Sequence, residues 1–198
     1  MMIEQPRVIR ETSSGYFATS LNDELFLRRR INILGEITSD SVNDYILQLL
    51  QLDYQEPKTP IWLYINSPGG SVTDGLALYD VMSALSCEIK TVCLGMAASM
   101  ASIIFASGSE RMMLPHSKIL IHDPRIMQAG GTALELKSIS DNLLQTREIT
   151  AEILAKHSGK PKETIFEKTK TDSYFSAAEA IDFGLADKII ERLSVDEI

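Results

Sequence analysis

The sequence predicts an α/β fold in which a mainly parallel sheet is flanked by helices within one domain. Strand-length apolar runs, rich in β-branched residues, alternate along the chain with amphipathic helical patterns. The intervening helices bring the chain back over the sheet, so that successive strands run parallel. The chain has 198 residues, 44% of them hydrophobic, which is enough for a core without disulfides. No internal repeat or low-complexity linker divides it.

The first half of the chain predicts two strands and two helices behind a polar N-terminal segment. Residues 1–21 lack clean periodicity and predict a flexible arm or hairpin, while residues 22–198 form the single domain. Residues 31–34 predict a strand closed by Gly35, and the next helix follows the capping candidates Thr38, Ser39 and Asp40. Residues 60–66 predict a buried strand that ends in a tight turn at Ser67-Pro68-Gly69-Gly70, with a helix after it.

The second half of the chain also alternates predicted strands with predicted helices. Strands are predicted at residues 89–94, 112–114, 118–121 and 185–190. Helices are predicted after Ser99, between Gly131 and Gly159, after Pro161, and between Ser176 and Gly184.

The composition excludes several classes of partner. The net charge of −8 argues against a phosphate backbone, where a basic face is expected. The two cysteines, Cys87 and Cys93, are predicted to be buried thiols in a reducing compartment. The N-terminus lacks a leader pattern, and no apolar run has membrane-spanning length. We therefore expect a cytoplasmic protein with neither a nucleic-acid nor a membrane partner.

The most informative stretch is Gly95-Met96-Ala97-Ala98-Ser99-Met100-Ala101-Ser102, which follows an apolar strand directly. A serine at a strand-to-helix turn exposes its Oγ beside free N–H groups, as a nucleophile requires. The helix N-terminus also favours the negative charge that develops when an acyl carbon is attacked. The alternative is that the small residues only permit close packing, with Ser99 as an N-cap.

A serine nucleophile needs a base, and the chain offers three histidines. His157 lies beside Gly159 and is predicted to cap a helix as a cation. His116 lies in a turn and is expected to be solvated. His122 follows the strand at residues 118–121, at the carboxyl end where α/β sheets carry functional loops, and it is therefore the candidate base.

The group that orients the imidazole is harder to select. Asp123 is adjacent to His122, but neighbours on an extended segment point to opposite faces. Asp172 is a loop carboxylate that spacing alone does not choose. For the oxyanion, the N–H groups of Gly70 and Met100 are predicted to converge on one carbonyl oxygen, since glycine lets the backbone approach a ligand.

Four motifs resemble the ClpP family, the proteolytic subunit of the ATP-dependent Clp protease. They are Tyr64-Ile65-Asn66-Ser67-Pro68-Gly69-Gly70-Ser71-Val72-Thr73, Gly95-Met96-Ala97-Ala98-Ser99-Met100, Ile119-Leu120-Ile121-His122-Asp123-Pro124 and Phe175-Ser176-Ala177-Ala178-Glu179-Ala180. The resemblance runs from about residue 31 to near the end of the chain. It implies a crotonase-like (ClpP) fold with a protruding strand–helix handle.

The resemblance also implies roles and partners. It implies a serine endopeptidase with catalytic Ser99, His122 and Asp172, an oxyanion hole at Gly70 and Met100, and no cofactor or metal in this chain. It implies peptide binding by a set of neighbouring residues: Gly69, Ser71, Val72, Pro124, Arg125 and Ile126. It implies heptameric rings, formed by this chain alone or with a second ClpP-type subunit, and a hexameric AAA+ unfoldase that uses the ATP and delivers unfolded polypeptides.

Departures from the family pattern suggest a divergent paralogue. Asp123 stands where the family usually has Gln, Arg125 where it usually has Leu, and Lys170-Thr171 where an Asp-Arg pair usually crosses the ring–ring interface. We therefore expect heptamers or loosely stacked rings with weak activity for the isolated chain. Two alternatives are a thioester-handling enzyme of the crotonase type and a catalytically silent subunit of a mixed ring.

Overall fold

The computed structural model describes residues 6–13, 15–126 and 128–193, which form nine strands and seven helices. The strands are β1 (Arg7–Thr12), β2 (Gly15–Ser20), β3 (Arg30–Ile37), β4 (Ile61–Gly70), β5 (Ile89–Ala98), β6 (Glu110–Met113), β7 (Lys118–Ile121), β8 (Ser173–Ser176) and β9 (Lys188–Ile189). The helices are α1 (Leu21–Leu27), α2 (Ser39–Gln55), α3 (Val72–Ala84), α4 (Met100–Ala106), α5 (Ala133–Ser158), α6 (Lys162–Thr169) and α7 (Ala177–Phe183).

A seven-stranded sheet organises the fold and confirms the predicted class. Strands β3, β4, β5, β6 and β9 lie side by side in that order and run parallel. The carboxyl end of β5 leaves β6 and pairs instead with β7, also in parallel, and β8 adds to β7 antiparallel. The second half of β5 therefore leads into a small extension of the sheet.

The main core lies between the helices and the sheet face that carries Ile31, Ile65 and Cys93, each at most 1% exposed. A smaller cluster of Tyr64, Val92 and Met112 lies on the opposite face. Helix α4 is buried along its whole length. Of the helices in the described part of the chain, none combines the length and apolar character that a membrane span needs.

The N-terminal segment forms a hairpin, one of the two predicted alternatives. Strands β1 and β2 pair in register from Arg7 opposite Ser20 to Thr12 opposite Gly15. The buried carboxylate of Glu24 in α1 accepts a 2.6 Å hydrogen bond from Thr19 Oγ1 and pairs with Arg10. The hairpin is thereby attached to the first helix.

Several boundaries differ from the prediction. Residues 67–70 form no tight turn, because β4 stays extended and pairs with β3 through Gly70 after a bulge. Strand β5 continues to Ala98, four residues past the predicted end at Leu94, since β7 supplies a new partner. The predicted strand at residues 185–190 shrinks to β9, and β8 was not predicted.

The implied handle is only partly present in this single chain. Helix α5 buries only side chains in its last third, and Leu134 and Leu144 on its first part are 81% and 58% exposed. The helix therefore projects from the core. Residues 122–126 and 128–132, which precede the helix, are not in a strand.

Candidate active site

Ser99 lies at the junction between β5 and α4 in a strained backbone conformation. Its φ of 54° and ψ of −126° are unusual, and Arg29 is the other described non-glycine residue with a positive φ. Ser99 occupies the N-cap position of α4, yet its side chain makes no capping hydrogen bond. The simple capping alternative therefore does not explain this residue. Ser99 is half-buried and lines a pocket.

Strand β7 holds His122 beside this serine. Ala98 is opposite Leu120 in the β5–β7 pairing, and the Ser99 N–H donates to the Leu120 carbonyl oxygen at 2.9 Å. His122 follows one residue after β7 ends. Ser99 and His122 consequently line the same pocket, although no hydrogen bond joins the side chains of these two described residues.

Asp172 reaches the histidine through β8. The antiparallel register sets Ile121 opposite Ser173, so the next residues, His122 and Asp172, are opposite each other just beyond the strands. The nearest atoms, His122 Nδ1 and Asp172 Oδ1, are 3.9 Å apart, which is longer than a hydrogen bond. The same carboxylate oxygen accepts a hydrogen bond from Arg125 Nη2 at 3.3 Å.

Gly69 brings the end of β4 against the serine. Its φ is +92°, and a Cβ added there would lie 2.6 Å from the Ala98 carbonyl oxygen and 2.8 Å from Ser99 Cβ. A Cβ on Gly70 would lie 2.1 Å from the Ile37 carbonyl oxygen on β3. Both positions therefore require glycine for close backbone approach. The Met100 N–H is at the first position of α4, where a helix leaves its donors unpaired.

The pocket behind Ser99 is mainly apolar with one charged edge. The polar edge is the ion pair between Asp123 and Arg147, with 2.6 Å between Oδ2 and Nε. Asp123 is thus paired with Arg147, whereas the carboxylate 3.9 Å from the imidazole is that of Asp172. The remaining lining residues are Val72, Met100, Ser102, Ile103, Ile121, Pro124, Thr150, Ala151, Leu154 and Thr169.

The surroundings of His122 favour its neutral form. Burial has the largest effect and lowers the pKa of the imidazole, and the positive charge of Arg125 lowers it further. The carboxylates of Asp172 and Asp123 oppose this shift by raising the pKa. A neutral imidazole is the form that can accept a proton.

The other titratable candidates lie outside the site. His116 is exposed, as expected. His157 lies in the last turn of α5, the place predicted for it. Burial lowers the pKa of its ring, whose Nε2 lies 3.2 Å from the Tyr79 hydroxyl. Arg111 donates to the His157 carbonyl oxygen at 2.9 Å. The free thiols of Cys87 and Cys93 are buried, as predicted. Among the described residues, no His/Cys/Asp/Glu cluster could hold a metal ion.

The residues implied for peptide binding surround this pocket unevenly. Val72 and Pro124 line it, whereas Arg125 and Ile126 are exposed on the segment after His122. Ser71 accepts a hydrogen bond from the Asp74 N–H and caps α3. Sequence reasoning missed the Asp123–Arg147 pair and the Arg125–Asp172 contact, because both join residues that are far apart in the chain.

A mainly parallel α/β sheet presents a strained serine and a partly buried histidine to one pocket, a framework that α/β hydrolytic enzymes also use. A family model for Clp protease matches residues 13–193. The chain is 41% identical over 189 residues to the ATP-dependent Clp protease proteolytic subunit of Ligilactobacillus salivarius (strain UCC118). The aligned region covers 94% of this chain and 95% of that relative. The chain therefore belongs to the Clp protease family, and the predicted function as a Clp-type proteolytic subunit is confirmed.

Proposed function

We propose that this chain is a serine endopeptidase that uses Ser99 as nucleophile, His122 as general base and Asp172 as the orienting acid. The observation that carries the proposal is the strained Ser99, whose hydroxyl makes no capping hydrogen bond and which lines one pocket with His122. Family membership supplies the peptidase activity. The serine mechanism is the step that the geometry supports.

In the first half-reaction, Ser99 Oγ attacks the carbonyl carbon of the peptide and its proton passes to His122 Nε2. Nδ1 is the ring nitrogen nearest Asp172, which leaves Nε2 for the serine. The negative oxygen of the tetrahedral intermediate accepts hydrogen bonds from the N–H groups of Gly70 and Met100. His122 then returns the proton to the leaving amine, and an acyl-enzyme remains on Ser99.

In the second half-reaction, water gives a proton to His122 and attacks the acyl carbon. Collapse of the second intermediate breaks the bond to Ser99 Oγ, which regains its proton from His122. Ile103, Ile121 and Leu154 line the pocket, whose volume of about 20 Å³ holds little more than one water molecule, so we place no substrate side chain in it. The chain's own residues supply every proton transfer, and we propose that no cofactor takes part.

Assembly and delivery of substrate are part of the same proposal. The exposed apolar side chains on α5, Leu134, Leu136 and Leu144, favour contact with further copies of the chain or with a second ClpP-type subunit in heptameric rings. The name of the bacterial relative describes an ATP-dependent protease. We propose that a hexameric AAA+ unfoldase uses the ATP and delivers unfolded polypeptides to this chain. We place this assembly in the cytoplasm.

A fluorophosphonate probe tests the serine mechanism directly. The full chain is incubated with the probe and the adduct is located by peptide mass spectrometry. Labelling of Ser99 is expected, with loss in both Ser99→Ala and His122→Gln variants. Labelling at another serine, or none at Ser99 while a known serine peptidase reacts in parallel, would contradict the proposal. Tight binding of an acyl-CoA in calorimetry would favour the crotonase-type alternative instead.

A further inference from the structure

Arg125 competes with His122 for the carboxylate of Asp172. Arg125 Nη2 is 3.3 Å from Asp172 Oδ1, whereas His122 Nδ1 is 3.9 Å from the same oxygen. The hydrogen bond of that oxygen therefore goes to the arginine. An aspartate that orients a histidine has to accept a hydrogen bond from its Nδ1. In this conformation Asp172 accepts a hydrogen bond from the guanidinium, and the imidazole is too far away to donate one.

The other charges near His122 are already engaged. Asp123 is paired with Arg147, which also packs its guanidinium 4.1 Å from the centre of the Phe166 ring. Asp123 N–H donates to the Thr169 carbonyl oxygen at 2.8 Å, which fixes this residue further. Of the charged groups that act on His122, Arg125 and Asp172 are the exposed ones, with side chains 58% and 43% exposed.

We propose that Arg125 is a positioning residue that holds Asp172 in a resting arrangement and has to release it before His122 can take the proton from Ser99. This inference rests on the serine mechanism proposed above. Arg125 lies on the segment implied to hold the extended peptide, so an arriving substrate meets this side chain. Removal of its charge leaves Asp172 free to bind His122 Nδ1.

The charge of Arg125 also acts on the proton transfer itself. When Ser99 loses its proton, His122 becomes a cation, which a nearby guanidinium disfavours and a carboxylate stabilises. Exposed ion pairs contribute at most about 1 kcal/mol, which corresponds to a rate factor of about five. The expected gain on removing Arg125 is therefore about two- to fivefold.

The test compares Arg125→Leu, Arg125→Lys and the control Lys58→Gln. Lys58 is exposed in the loop before β4. Its replacement by glutamine removes one positive charge at the end of β4 opposite to Gly69 and the site. The second-order rate of fluorophosphonate labelling at Ser99 is measured against pH by mass spectrometry of the full chain. In Arg125→Leu, Ser99 is expected to be labelled about two- to fivefold faster at pH 7. The acid inflection in the curve of labelling rate against pH is expected to move to higher pH. Arg125→Lys and Lys58→Gln are expected to keep the wild-type inflection.

An NMR titration of the His122 imidazole gives a second readout, with the resonance assigned by its loss in His122→Gln. The pKa of His122 is expected to rise in Arg125→Leu and to stay unchanged in Lys58→Gln. An unchanged or lowered pKa in folded Arg125→Leu would overturn the inference, as would slower labelling. Absence of Ser99 labelling in the wild type would refute the serine mechanism instead, while the titration still decides the effect of Arg125 on the imidazole.

Discussion

The contact between Gly69 and the Ser99 turn allows a substitution that separates backbone strain from steric displacement. In Gly69→Ala, the added Cβ meets the Ala98 carbonyl oxygen at 2.6 Å and the Met100 nitrogen at 3.0 Å. Both are backbone atoms, so neither can rotate away. Gly35→Ala is the matched control, because Gly35 has a similar φ of +78° and nothing lies within 4 Å of its added Cβ.

Both variants place an alanine at positive φ, but only Gly69→Ala adds a steric clash. An alanine at positive φ loses about 1–2 kcal/mol relative to glycine at either position. The clash at Gly69 adds about 1–3 kcal/mol, the usual range for overpacking, unless Ser99 moves. If the turn moves instead by about 1 Å, the loss appears as a rate reduction of about 100-fold.

Urea denaturation measures the free energy of unfolding of each variant, and the rate of Ser99 labelling reports whether the serine turn has moved. Gly35→Ala is expected to lose stability and keep its labelling rate. Gly69→Ala is expected to lose more stability, or to label about 100-fold more slowly, or both. Equal stability and equal labelling rates in the two variants would refute the close approach of β4 to the serine turn.

Four further predictions follow from the same structure. Because the pKa of His122 is lowered, its imidazole stays neutral to lower pH, and the labelling rate of Ser99 should rise with pH through an inflection below the ordinary histidine value of about 6.5; an inflection above that value would contradict it. Burial raises the pKa of Cys87 and Cys93 to about 11, so iodoacetamide at pH 8 should modify them only after denaturation, as mass spectrometry can show. Arg29 donates to four carbonyl groups around the end of α2, and Arg29→Met is expected to lose about 2–4 kcal/mol in urea denaturation, whereas a change under 0.5 kcal/mol would deny this role. The resemblance implies that Lys170 stands where an acid crosses the ring–ring interface, so analytical ultracentrifugation should find heptamers or loosely stacked rings, and a stable, fully active fourteen-subunit species would show this to be wrong.

Local patterns in the sequence determined most of the elements. Capping boxes at Thr38 and Ser176 begin helices, and glycines in the left-handed conformation at Gly159 and Gly184 end them, as the local chemistry of these residues requires. Ser99 and His122 could also be predicted from the sequence, because each follows an apolar strand-like run. The carboxyl ends of neighbouring parallel strands share one edge of the sheet, so the two residues were expected to lie close together.

Only the tertiary structure decided which acid meets the histidine. Asp172 is fifty residues from His122 along the chain, and the two are brought together by the register of β8 on β7, a strand of four residues without a clear signal of its own. The contact of Arg125 with that acid and the approach of Gly69 to Ser99 arise in the same way. Local sequence sets backbone preference and periodicity, whereas distances between remote side chains depend on how whole strands pair and pack.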